Sequence, residues 1–146
     1  GSTGIRICEL PFITVEAAHS CRARVMLKGK TRSVVLPREL CSMLSEYAER
    51  MNITSGSIFT TRTGSPLDRS NILHSMKELS RKAGVDPAKV FPHNLRHLFA
   101  VTYYQADRDV FHLADILGHS NINTTRIYTA EGTSTLAAKI EKLGLL

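Results

Sequence analysis

The densest polar constellation in the sequence is His93-Asn94-Leu95-Arg96-His97, followed by Leu117-Gly118-His119 and then by Tyr128. His93 and Arg96 are three residues apart, so at the start of a helix both project from one face, beside backbone amides that favour an anion. That combination suits a phosphate group. Gly118 is placed to end a helix carrying the Val110 to Leu117 stripe, which leaves His119 just beyond that end. Tyr128 follows nine residues later, on or after another short helix. Arg6 and the run Lys28-Gly29-Lys30 add positive charge from distant sequence.

Composition bounds what these residues can belong to. The chain has 146 residues, 42% hydrophobic and 22% charged, which suits one compact globular domain and excludes a disordered polymer. Its formal net charge of +6 is a bias towards polyanionic partners that decides little by itself. Cys8, Cys21 and Cys41 are odd in number and widely spaced, without a C-x-x-C, so they predict neither a disulfide framework nor a structural zinc site. No cluster of Asp, His and Cys has metal-ligand spacing, and no metal or other cofactor is expected. No apolar run approaches the roughly 20 residues of a membrane span, and the expectation is a cytoplasmic protein of a bacterial host or its nucleoid, with no membrane partner.

The elements that must position the polar residues are mostly helical. Gly4 to Leu10 reads as a short helix ended by Pro11. Arg22 to Leu27 and Thr31 to Leu36 read as a β-hairpin with a basic tip at Lys28-Gly29-Lys30. After Pro37, the stripe Leu40, Met43, Leu44, Tyr47 and Met51 predicts an amphipathic helix buried on that face. Ile58 to Thr60 is a short extended piece, and Ser70 is the expected N-cap of a helix that buries Ile72, Leu73, Met76, Leu79 and Ala83 and ends at Gly84. Further helices are expected over about Asn94 to Ala106, Val110 to Leu117, Ile122 to Tyr128 and Thr135 to Leu143. The predicted fold class is therefore mostly α with a small β-hairpin, an α+β domain.

Taken in order, Thr3-Gly4-Ile5-Arg6-Ile7-Cys8-Glu9-Leu10, His93-x-x-Arg96, Leu117-Gly118-His119-Ser120 and Thr124-Thr125-x-x-Tyr128 resemble the catalytic domain of the tyrosine recombinases, the phage integrase family. Each piece alone is weak, whereas their order and the spacing of His119 from Tyr128 make the set specific. The resemblance implies a catalytic domain over residues 1–146, with the helical core-binding domain that precedes it in the family absent from this chain.

It also implies an activity: cleavage and rejoining of double-stranded DNA through a 3′-phosphotyrosyl intermediate, by an integrase of a phage or mobile element that assembles as a tetramer on DNA. By this resemblance Tyr128 is the nucleophile and Arg6 and Arg96 are the two arginines that hold the phosphate. His93 matches the position read as accepting the tyrosine proton, and His119 the one that hydrogen-bonds the scissile phosphate. Lys28 matches the hairpin lysine that protonates the leaving 5′-oxygen, with Lys30 as its rival. Physical chemistry agrees with these roles, because a phenol of pKa about 10 needs a base and a positive field to attack at neutral pH. Two guanidinium forks supply that field where many phosphoryl-transfer enzymes use Mg²⁺, so activity in EDTA is expected. Ala130 stands where the family often has a histidine.

Blander readings cover the neighbours. Glu9 either orients Arg6 or is a solvated helix residue, and it stays outside the core set. His19, His74, His97 and His112 are assigned to capping or packing, and Tyr47, Tyr103 and Tyr104 to packing. Arg22, Arg24, Arg32, Arg62, Arg69 and Lys77 form an expected basic surface for DNA phosphates. Two other functions compete with the recombinase: a DNA-binding or assembly module whose catalytic set is unused, and a type IB topoisomerase sharing the arginine, lysine, histidine and tyrosine chemistry.

Overall fold

A computed structural model describes residues 2–129, 138 and 141–143. It divides into two compact units, Gly1–Ala100 and Val101–Leu146. Among the described residues no helix is long and apolar enough to cross a membrane.

In the first unit, a 3-10 turn over Ile7–Phe12 precedes α1 (Val15–Ser20). The turn begins later than the sequence suggested and runs through Pro11 instead of stopping before it. Proline's fixed φ and missing N–H are compatible with so short a helix. Thr14 caps α1 by accepting the Ala17 N–H at 3.0 Å, and Cys21 ends it in the left-handed region at φ 55°.

The hairpin is as expected in kind. Strand β1 (Arg22–Leu27) pairs antiparallel with β2 (Lys30–Val35), from Arg22 opposite Val35 to Leu27 opposite Lys30. Only Lys28 and Gly29 lie between the strands, with φ of 50° and 75°, the positive values that a two-residue turn needs to match strand twist. Ala23, Val25 and Val34 face inward, and Arg22 and Arg24 point to solvent.

Helix α2 (Arg38–Arg50) presents a different face from the predicted one. Cys41, Leu44 and Ala48 are buried, while Met43 and Met51 are 62% and 56% exposed. The small side chains at 41 and 48 let α1 approach closely, so the narrow stripe wins over the bulkier one. These residues join Ile13, Val15, Ala17, Ala18, Leu36 and Ile58 in the core.

Helix α3 (Arg69–Lys82) is capped by Asp68, not Ser70: Asp68 accepts the Asn71 N–H at 2.8 Å and Asn71 returns the bond to the Asp68 N–H at 3.2 Å. This reciprocal pair satisfies two amides that Ser70 would leave open. Leu79, expected inside, is 65% exposed, and Gly84 follows the helix at φ 71°. Helix α4 (Pro92–Asp107) starts two residues ahead of expectation. It contributes Pro92 to Ala100 to the first unit and Val101 to Asp107 to the second.

The second unit adds α5 (Val110–Leu117), capped by Asp109 at 2.9 and 3.0 Å from the Phe111 and His112 amides and closed by Gly118 at φ 71°. Asn121 caps α6 (Ile122–Arg126). Leu113, Ala114, Leu117 and Thr125 are buried here. Ala130 and most of the expected helix over Thr135 to Leu143 lie outside the described residues.

Candidate functional site

The six candidate residues divide between the units, with Arg6, Lys28, His93 and Arg96 in the first and His119 and Tyr128 in the second. In the first unit the chain must bend sharply at Gly4, whose φ is 63°. A Cβ on Gly4 would collide with the Phe99 ring, so only glycine fits this close approach to α4. The bend lets the Gly4 carbonyl accept a hydrogen bond from Arg96 Nη1, which ties the segment holding Arg6 to the helix holding His93 and Arg96. Arg6, His93 and Arg96 then line one open cavity of about 260 Å³, together with Arg69 and Phe91.

Arg6 itself is held by Glu9. The Arg6 N–H donates to Glu9 Oε2 at 2.8 Å, and the Glu9 N–H donates back to the Arg6 carbonyl at 2.9 Å. The Arg6 guanidinium stands 3.5 Å from Glu9 Oε1. Glu9 is only 1% exposed, and a second cation, Arg32 on β2, donates to its Oε2 at 2.7 Å. The solvated reading of Glu9 is therefore wrong. Arg32, assigned from sequence to the basic surface, has a side chain only 18% exposed and committed to this carboxylate. The signal that could have found the first contact is the three-residue spacing of Arg6 and Glu9; nothing local in the sequence announces the second.

His93 occupies the second position of α4 and is exposed, with its ring stacked on Phe91 at 5.5 Å between centroids. The Lys77 ammonium sits over the other aromatic, 5.1 Å from the Phe91 centroid. Lys28 is exposed at the hairpin tip and Lys30 beside it, and neither lines the cavity shared by Arg6, His93 and Arg96.

In the second unit the left-handed turn at Gly118 sends the His119 N–H back to the Ala114 carbonyl at 2.9 Å. That closure fixes the backbone from which the imidazole projects. His119 Nδ1 and the hydroxyl of fully buried Thr125 share a hydrogen bond of 2.7 Å. That bond fixes the orientation of the imidazole. Tyr128 is anchored through its N–H to the Thr125 carbonyl at 3.0 Å, and its ring lies almost parallel to that of His119, at 13° with centroids 6.3 Å apart. Thr125 thus holds both residues, a role that the Thr124-Thr125-x-x-Tyr128 spacing contained but sequence reasoning did not assign.

The remaining tyrosines behave differently. Tyr103 Oη meets His112 Nδ1 at 3.1 Å, and the same nitrogen lies 2.8 Å from Asp107 Oδ2. Burial and the neighbouring Asp107 and Asp109 carboxylates raise the Tyr103 phenol above its usual pKa. Tyr104 packs under the Arg108 guanidinium at 5.6 Å. Among the described residues no group of three or more His, Cys, Asp or Glu side chains is arranged to hold a metal ion.

Comparison with known proteins adds a family. The model described as "Phage integrase family" matches residues 1–134. Tyrosine recombinase XerA of Pyrococcus furiosus is 29% identical over 151 aligned residues, covering 99% of this chain and 52% of the relative. Among solved structures, XerA recombinase superposes with a TM-score of 0.76 at 29% identity, over 96% of this chain and 52% of that one. A XerH site-specific recombinase bound to difH substrate in a pre-cleavage complex gives 0.77 at 26% identity, over 95% and 43%. The chain spans about half the length of the curated relatives it matches.

Proposed function

The chain belongs to the phage integrase family and has the fold of a tyrosine recombinase catalytic domain, and from that premise we propose that it cleaves and rejoins double-stranded DNA at specific sites through a 3′-phosphotyrosyl intermediate. The observation that carries the reading is the convergence of Arg6, Arg96 and His93 on one cavity, with the nearby carboxylate of Glu9 already engaged by Arg32. A cavity with that lining selects an anion and can take the extra negative charge that builds on a phosphate under attack.

The chemistry then assigns each residue a step. The Tyr128 oxygen bonds to phosphorus while the bond from phosphorus to the 5′-oxygen breaks. His93 takes the phenolic proton, and Lys28 gives a proton to the departing 5′-oxygen, with Lys30 the other hairpin candidate. Arg6 and Arg96 hold the non-bridging oxygens by charge-assisted hydrogen bonds, and His119 adds one from Nε2. Because one phosphodiester is exchanged for another, the ester stores the bond and the reverse attack by a 5′-hydroxyl rejoins DNA. Assembly of several protomers on two duplexes belongs to the same proposal, as does a phage or mobile-element source.

The test uses the protein at full length and nicked duplexes selected for binding by its Tyr128→Phe variant. Incubated in EDTA, the wild type is expected to give a denaturant-resistant protein–DNA adduct, and the variant none. Site binding without any adduct from the wild type would overturn the proposal in favour of a non-catalytic DNA module. An adduct that relaxes supercoils but never exchanges strands between two sites would favour a topoisomerase.

A further inference from the structure

We propose that Arg32 is a positioning residue for Arg6, acting through Glu9 to keep the Arg6 guanidinium available to an anion in the cavity. This rests on the phosphodiester-binding reading of that cavity. Glu9 is a carboxylate at 1% exposure with two arginines beside it, and the two contacts are unequal. Arg32 Nη2 reaches Oε2 at 2.7 Å, within the range of a charge-assisted hydrogen bond. Arg6 Nη1 stands at 3.5 Å from Oε1, beyond ordinary hydrogen-bond length. Oε2 also accepts the Arg6 backbone N–H at 2.8 Å, so this oxygen is occupied from two sides.

The arrangement has an electrostatic consequence. Glu9 and Arg32 neutralise each other as a close pair, which leaves the Arg6 charge to the cavity it lines. Without Arg32, a buried carboxylate would be left with Arg6 as the nearby cation of this set. A buried charge that loses its partner is costly, and the surviving cation is drawn in to replace it. Arg6 would then close on Glu9 and present less charge and fewer N–H donors to a phosphate. The hairpin register places Arg32 where it can engage the carboxylate, opposite Val25 and on the inward face of β2 with buried Val34. An exposed arginine on the other face would contact DNA without touching Glu9.

Two readouts test the proposal on the full-length protein. The first is the affinity for inorganic phosphate, followed through the Arg6 side-chain resonance by NMR, which needs no cleavage. Arg32→Ala is expected to weaken phosphate binding about 10-fold and Arg32→Lys about 3-fold, while Arg32→Ala made in the Glu9→Gln background costs less than about 3-fold, because the charge that captures Arg6 is gone. The second is adduct formation at saturating DNA, where Arg32→Ala is expected to slow the rate about 10-fold with the DNA Kd changed less than about 3-fold. The Glu9→Gln pair of proteins keeps the test decisive if Arg32→Ala alone does not fold. The proposal is overturned if Arg32→Ala costs as much with Glu9→Gln as without it, if it lowers DNA affinity with no change in rate, or if wild-type Arg6 does not respond to phosphate. A wild type that binds phosphate through Arg6 but forms no adduct would sink the recombinase reading alone, since the phosphate arm still decides the role of Arg32.

Discussion

Among the described residues two tyrosine–histidine pairs occur in the second unit, and their surroundings differ. Tyr103 and His112 touch at 3.1 Å, yet Asp107 lies 2.8 Å from the same imidazole nitrogen and Asp109 caps the helix on which His112 stands. Two carboxylates repel a phosphate and hold the phenol in its neutral form. Tyr128 and His119 share the fully buried Thr125 as their anchor, Tyr128 through its N–H to the Thr125 carbonyl and His119 through Nδ1 to the Thr125 hydroxyl. Proximity of a phenol to an imidazole is therefore insufficient to single out a tyrosine for attack on an anion, because carboxylates beside the pair disfavour it.

The largest expected contrast is between the phenols. Tyr128→Phe should reduce adduct formation by at least about 10³-fold, whereas Tyr103→Phe should stay within about 2-fold of wild type, both read on nicked duplexes. If both substitutions abolish the adduct, the contrast between the pairs is lost. Next come the imidazoles. His119→Ala should slow cleavage about 10²-fold at saturating DNA, the usual loss on removing one hydrogen-bond donor to a developing oxyanion, with His112→Ala near wild type. A smaller loss, about 3-fold to 10-fold in rate with little change in DNA Kd, is expected for Thr125→Val, which keeps the buried shape but leaves His119 Nδ1 without this hydroxyl.

The smallest effect concerns pH. The Tyr103 pKa is raised above 10 by burial first and then by Asp107, so the folded state prefers the neutral phenol. Its contribution to stability is fully present below the unfolded value of about 10 and is lost as pH rises through the higher folded one. Urea unfolding between about pH 9 and about pH 11 should show a shallower decline for Tyr103→Phe than for wild type. An unchanged slope would contradict the acidic environment assigned to this phenol.

Much of this organisation is legible in the sequence, for identifiable reasons. The hairpin announces itself through alternation around Lys28-Gly29, and α5 through its apolar stripe closed by Gly118; both are local signals. The motif residues Arg6, His93, Arg96, His119 and Tyr128 are legible because their types and order are unusual together. The features that escape a sequence reading are tertiary. The buried face of α2 follows Cys41 and Ala48, whose small size matters only once α1 packs there. Glu9 and Arg32 are 23 residues apart, and no local pattern brings an inward strand arginine to a buried carboxylate. The cap of α3 is different: the Asp68-x-x-Asn71 spacing is itself a local signal for the reciprocal bond, and Ser70 competes with it only by residue type.

The most direct test of Tyr128 as the nucleophile is to map the site of attachment. The adduct formed in EDTA would be digested with nuclease and protease, and the nucleotide-bearing peptide sequenced by mass spectrometry. The nucleotide is expected on Tyr128, linked through a 3′-phosphate. A nucleotide on Tyr103, on any other side chain, or linked through a 5′-phosphate would contradict that assignment.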